Sequence, residues 1–160
     1  MKHAMKLGAI SALALAGFMQ PAFAASTLHV FLWDSGADVD MVTGHKIGDG
    51  ADNFSATMGV TANALIVPAG KITFDVLNVS TDTIHEMVVS KLDGPDGTMP
   101  YNADIQRVDE DAFGSVGEVS ELDPGDDGQL TVSLDPGTYA LYCNIPGHFA
   151  AGMWTILTVE

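Results

Sequence analysis

The stretch Tyr142-Cys143-Asn144-Ile145-Pro146-Gly147-His148-Phe149-Ala150-Ala151-Gly152-Met153 joins two runs of strand-forming residues near the end of the chain. It holds the only cysteine among 160 residues. Four residues separate Cys143 from His148, and four more separate His148 from Met153. A thiolate, an imidazole and a thioether on one short loop form a soft-to-borderline ligand set. Such a set suits copper better than calcium or magnesium, which take oxygen. A blue-copper site also needs a second imidazole, so the fold must bring a distant histidine to this loop.

Outward from the loop, strand signals dominate. Thr138 to Cys143 and Trp154 to Val159 flank it, and the turn Asp135-Pro136-Gly137 precedes it. Gln129 to Leu134 alternates without a break, and Gly117 to Leu122 is a shorter extended piece. His85 to Lys91 reads as a strand. Lys71 to Asn78 sets Ile72, Phe74 and Val76 against Thr73 and Asp75, the pattern of a half-buried strand. Met58 to Val67 is extended up to the turn Pro68-Ala69-Gly70, and Thr27 to Trp33 is rich in β-branched and aromatic residues. Two irregular regions remain. Asp34 to Ser55 is rich in Gly and Asp, and Leu92 to about Ser115 has room for one helical turn at Asp109 to Phe113. About eight short strands parted by Pro/Gly turns predict an all-β fold, a Greek-key β-sandwich. No repeat or linker divides it, so residues 25–160 are expected to form one domain.

The N-terminus reads differently. Lys2 and Lys6 precede an apolar run from Leu7 to Met19, and Ala22-Phe23-Ala24 follows. This predicts a signal peptide over residues 1–24, cut after Ala24, and export to the periplasm or beyond. The run falls short of the about 20 residues that a membrane span needs, so no span is expected after cleavage. The net charge is −15 with histidines neutral. Without the leader, Lys46, Lys71, Lys91 and Arg107 face all 21 acidic residues. Nucleic acid and anionic membranes are poor partners for such a surface. A basic redox protein fits it, and so does acidity that serves only solubility or a salty or acidic habitat. One cysteine allows no internal disulfide, which leaves the thiol intermolecular, free or metal-bound.

His85 is the candidate for the second imidazole. It opens a strand just after the polar turn Ser80-Thr81-Asp82-Thr83, where a sandwich can bring it against the loop. Pro146, Gly147 and Gly152 set the loop backbone. His29 and His45 compete in principle and are expected at the surface. Met41, Met58 and Met87 read as packing residues. Taken singly, Cys143 is a core cysteine, Met153 core filler, and the histidines ordinary. Their joint spacing is what points to copper. The set leaves no coordination position for a substrate, which favours electron transfer over catalysis.

Cys143-Asn144-Ile145-Pro146-Gly147-His148 with Met153, preceded by Pro136-Gly137-Thr138-Tyr139, resembles the C-terminal signature of the cupredoxins, the plastocyanin/azurin family. Val67-Pro68-Ala69-Gly70 ahead of Phe74, Val76, Asn78 and His85 resembles it too, and the Cys-x4-His-x4-Met spacing is that of rusticyanin and similar to the sulfocyanins. The likeness runs from Met58 to Glu160. It implies one type 1 copper held by His85, Cys143, His148 and axial Met153. It also implies an apolar docking patch for a redox partner, cytochrome-like, around Ile145, Pro146, Phe149 and Ala150, with plain loop packing as the other reading of Pro146 and Phe149. Many cupredoxins follow the first histidine with Asn or Ser, a side chain that ties the ligand strand to the cysteine loop. Here Glu86 stands in that place. It either accepts from backbone N–H groups of the loop, outside the ligands themselves, or points to solvent; Asn144 is also expected just outside the ligands. If protonated, it would make the potential pH-dependent.

Two functions follow. One is a mobile, monomeric one-electron carrier. The other is a tolerance or delivery protein with copper as cargo, a reading that His85-Glu86-Met87 with Glu118 to Leu122 also brings forward through likeness to exported cupredoxins linked to copper tolerance. An enzyme is not expected. No His-x-His motif for further coppers, Gly-x-Ser-x-Gly or His-Glu-x-x-His occurs, and a dinuclear copper centre would need two cysteines.

Overall fold

A computed structural model describes residues 25–160 apart from 37, 39, 49–51, 95 and 96. The expected leader, 1–24, lies outside the described residues. Strands run in the order β1 (Ser26–Asp34), β2 (Met58–Ala62), β3 (Ile66–Val67), β4 (Gly70–Asn78) and β5 (His85–Leu92). There follow β6 (Tyr101–Asn102), β7 (Arg107–Val108), the helical turn α1 (Glu110–Phe113), β8 (Ser115–Leu122), β9 (Asp127–Leu134), β10 (Gly137–Tyr142) and β11 (Trp154–Val159). One sheet has the order β2-β1-β4-β9 and the other β3-β11-β10-β5-β8, with β6 and β7 forming a separate hairpin. The chain passes between the two large sheets at β2–β3, β3–β4, β4–β5, β8–β9 and β9–β10, as a Greek-key sandwich requires.

The expected single stretch from Met58 to Val67 is two strands in different sheets. Asn63 is the reason. Its backbone N–H donates to the His29 carbonyl at 3.1 Å and its Oδ1 accepts from the His29 N–H at 3.0 Å. These bonds end the β1–β2 pairing, and the next residues cross to lie parallel to β11 at Ile66↔Thr158.

Alternation builds the main core. Leu28, Val30 and Leu32 from β1 meet Ile72, Phe74 and Val76 from β4 and Met87, Val89, Leu141 and Leu157 from the facing sheet. A fully buried side chain of this size contributes about 1.5–3 kcal/mol. The second sheet is covered on its outer face as well. There Val88, Ala140 and Tyr142 pack with Ile47, Met99, Val108 and Phe149. The two irregular regions are therefore structural: their apolar residues close the far side of β5 and β10. Asp109 caps α1 by accepting from the Ala112 N–H at 3.1 Å.

Candidate metal centre

Strand alternation sorts the site residues by face. In β5, Met87 faces the main core and Val88 the second core, so His85 points inward and Glu86 outward. In β10, Leu141 joins the main core, as does Cys143 just past its end, while Tyr142 faces the second. The register Tyr142↔Val88, carried two residues on, sets Asn144 opposite Glu86. Ligand-type side chains thus lie on one side of the sheet and their polar neighbours on the other.

His85, Cys143 and His148 converge, with one donor atom from each lying within 4.8 Å of the others. His148 Nδ1 lies 3.3 Å from His85 Nδ1 and 3.3 Å from Cys143 Sγ. The imidazole rings meet edge to face, with centroids 5.1 Å apart. His85, Cys143 and Met153 are fully buried and His148 is 7 % exposed. The loop folds on itself to achieve this. The Cys143 N–H donates to the Met153 carbonyl at 3.0 Å, and the Met153 N–H to the His148 carbonyl at 3.1 Å. Met153 is thereby tied to both loop ligands. Gly152, at φ 94°, occupies a left-handed conformation, and a Cβ there would stand 2.6 Å from Ala56 Cβ.

Residues 43–48 and 52–57 strap this loop down. The Gly44 and His45 N–H groups donate to the Ala150 carbonyl at 2.9 and 3.0 Å. Asn53 Nδ2 donates to the Gly152 and Trp154 carbonyls at 3.2 and 2.8 Å, and Trp154 Nε1 donates to the His45 carbonyl. His45 is accordingly half-buried, with its Nε2 enclosed, and not the surface histidine expected. His29 does lie at the surface, beside Asp75 at 3.2 Å.

Two further expectations need correction. Phe149 and Ala150 cannot form an exposed docking patch, because they are 1 % and 5 % exposed. Phe149 packs against Tyr101 and Tyr142, and Ala150 lies under the strap. Pro146 is exposed and Ile145 half-buried. Met58 and Met87 are buried packing residues, but Met41 is 45 % exposed. Met41 lies over Gly147, where a Cβ would meet its Cε at 3.3 Å. Beside it, Asp34, Met58, Thr83 and His148 line a cavity of about 150 Å³.

Glu86 is buried, 7 % exposed, and accepts from the Asn144 N–H at 3.1 Å. Asn144 in turn exchanges bonds with Val108 (2.6 and 3.0 Å) and donates to Glu110 Oε1 at 2.6 Å. This network clamps the cysteine end of the loop to β5 and β7. Asp34 was not foreseen. Its Oδ2 lies 3.0 Å from His85 Nε2, on the side of the ring away from Cys143, and its side chain is 5 % exposed. The signal was present in the chain: Leu28, Val30 and Leu32 face inward, and Asp34 continues that period.

Burial sets the protonation of the metal-free site. It pushes the Cys143 thiol up to about 12. Burial, with the nearby His85 as a lesser cause, brings His148 down to about 4. Burial lowers His85 too, against the opposing pull of Asp34. Burial would raise Asp34, but bonds from Gly36, Thr83 and His85 outweigh it and hold the carboxyl below its usual range. Burial raises Glu86 to about 7, with Arg107 pulling it down and Glu110 and Glu118 adding to the rise. At neutral pH the cluster therefore presents two neutral imidazoles and a thiol. Two nitrogens and one sulfur from buried side chains, with the thioether of Met153 buried in the same core, are a donor set for copper, not for oxygen-seeking ions.

A sequence model of the copper binding proteins, plastocyanin/azurin family, matches residues 48–160. The match begins ten residues earlier than the likeness at Met58, inside the strap. The fold is similar to auracyanin B, at 22 % identity over 91 % of this chain and 95 % of that one, with a TM-score of 0.56. It is also similar to rusticyanin from Thiobacillus ferrooxidans, at 19 % identity over 84 % and 77 % of the two chains, TM-score 0.53. Auracyanin from Roseiflexus castenholzii covers 85 % of this chain and 96 % of its own at 21 % identity, TM-score 0.50. No curated protein sequence matches the chain.

Proposed function

Because the chain belongs to the plastocyanin/azurin family of copper-binding proteins, we propose that it is an exported one-electron carrier with a mononuclear type 1 copper site. His85 Nδ1, Cys143 Sγ and His148 Nδ1 would hold the ion, with the Met153 thioether as the fourth donor. The convergence of those three buried donors carries the reading. Bound copper supplies a one-electron change between Cu(II) and Cu(I). The chain's part is to fix the donors beforehand. β5 holds His85, the end of β10 positions Cys143, the bonds among Cys143, His148 and Met153 close the loop, and the strap is hydrogen-bonded over it. Ligands fixed in this way need little rearrangement when the electron moves.

His148 is the route outward, since it alone of the buried set lines the cavity beside Met41. Pro146, Ile145 and Met41 supply the surface around it, against which a basic redox partner would dock. Export rests on the leader pattern of residues 1–24, with 25–160 as the mature domain. No helix among the described residues is long and apolar enough to cross a membrane.

The test is addition of Cu(II) to the purified protein. A strong visible thiolate-to-copper band with narrow copper hyperfine splitting in EPR supports the site. A weak spectrum, or a strong one that survives Cys143→Ser, rejects it. The cargo reading is separated by competition of the reduced protein with a Cu(I) chelator. The burial of all four ligands favours retention, and rapid loss of metal would favour delivery.

A further inference from the structure

We propose that Asp34 is a positioning residue for His85 and that its carboxylate biases the copper site toward Cu(II). The inference rests on the copper-site reading above. A carboxylate only accepts hydrogen bonds. The 3.0 Å contact between Asp34 Oδ2 and His85 Nε2 therefore places the ring proton on Nε2. That leaves the Nδ1 lone pair facing His148 and Cys143, the orientation a metal ligand needs. The other oxygen, Oδ1, accepts from the Gly36 N–H at 2.7 Å, so both ends of the carboxylate are held. The two side chains are 0 % and 5 % exposed. Solvent reaches the carboxylate from the small cavity that it lines with Thr83 and His148, and the His85 side of it is closed.

Two effects then act in the same direction. A carboxylate bonded to the far nitrogen of a metal-bound imidazole makes the ring a stronger donor. A fixed negative charge one ring away from the ion also favours the more positive oxidation state. Both stabilise Cu(II) over Cu(I) and lower the reduction potential, relative to a neutral acceptor at the same place.

Asp34→Asn tests this, because it keeps an accepting oxygen and nearly the same volume but removes the charge. The expected result is a retained thiolate-to-copper band and a higher reduction potential. Cu(II) affinity should fall by roughly 10–100-fold, with a smaller loss for Cu(I). Asp34→Glu should restore part of the shift. Asp75→Asn, which removes an exposed carboxylate from β4, should leave the potential where it is. An unchanged potential in D34N, or equal losses of Cu(I) and Cu(II) affinity, overturns the inference and leaves the copper site standing. A wild-type protein without the thiolate-to-copper band overturns both. Should D34N fail to fold, ¹⁵N NMR of the wild-type metal-free protein decides. His85 protonated on Nε2 is expected, and protonation on Nδ1 would refute the role.

Discussion

At the scale of single residues, burial favours the neutral form of two acids, the thiol of Cys143 and the carboxyl of Glu86, with different consequences. Burial keeps Cys143 protonated well beyond neutrality, with its thiol at about 12. A thiolate ligand must therefore give up its proton when metal binds. Cu(II) added to the metal-free protein at pH 7 should release about one proton per ion, measured with a pH indicator in weak buffer. Cys143→Ser should abolish most of that release. Glu86 is raised to about 7 from 4.5. Its neutral form is the one the fold prefers, so its contribution is complete below the unfolded value and is lost as pH rises through 7. His148, down at about 4 from 6.5, works the other way: stability is lost as pH falls through that window. Thermal unfolding of the metal-free protein should thus show two limbs. Glu86→Gln should flatten the loss of stability between about pH 4.5 and 7, worth on the order of 2–3 kcal/mol, and leave the loss caused by His148 in place. An alkaline limb that persists unchanged in E86Q would show that Glu86 is not its source.

At the scale of elements, the ligand loop is held from outside as much as by its own turns. Gly152 is the tightest point, with a left-handed backbone and Ala56, Asn53 and His45 packed against it. Gly152→Ala should cost about 2–4 kcal/mol through backbone strain and overpacking. It should also loosen the strap, seen as faster amide exchange at Gly44 and His45, whose N–H groups both reach Ala150. A variant with wild-type melting and exchange would contradict the strap's role. The strands and the loop itself were legible in the sequence because period-two burial and Pro/Gly turns are local signals. Leu28, Val30 and Leu32 show it, as do Ile72, Phe74 and Val76. His85 was legible as well, from its place at a strand start. What stayed hidden depends on contacts across the chain. Nothing local says that Ile47 and Met99 cover β5 and β10, and that covering is what buries Phe149 and removes it from the surface. Asp34 was hidden for another reason. It ends a strand and begins an Asp/Gly-rich loop, and composition drew it into the loop although its period placed it inward.

At the scale of the whole molecule, most of the charge lies away from the site. Apart from the Asp34 carboxylate beside His85, the ligands sit among apolar residues, while the chain carries a net −15 with histidines neutral. The few cations are not spread evenly. Lys46 lies over the Tyr101 ring at 4.9 Å, and Arg107 stands near enough to Glu86 to pull its carboxyl down. Lys71 and Lys91 lie on β4 and β5. An acidic field of this size attracts cations at long range, and salt screens it over about 10 Å at 0.1 M. Electron exchange should therefore depend on the sign of the partner. With the copper-loaded protein, the second-order rate for a cationic ruthenium ammine complex should fall steeply as ionic strength rises. The rate for an anionic iron cyanide complex should rise over the same range. Stopped-flow bleaching or recovery of the thiolate-to-copper band reads both. If the two slopes share a sign, or both are flat, the field at the electron-exchange surface is not that of the whole molecule. In that case Lys46 and Arg107, on the segments that flank the ligand loop, become the residues to neutralise first, and a basic partner would lose its electrostatic basis.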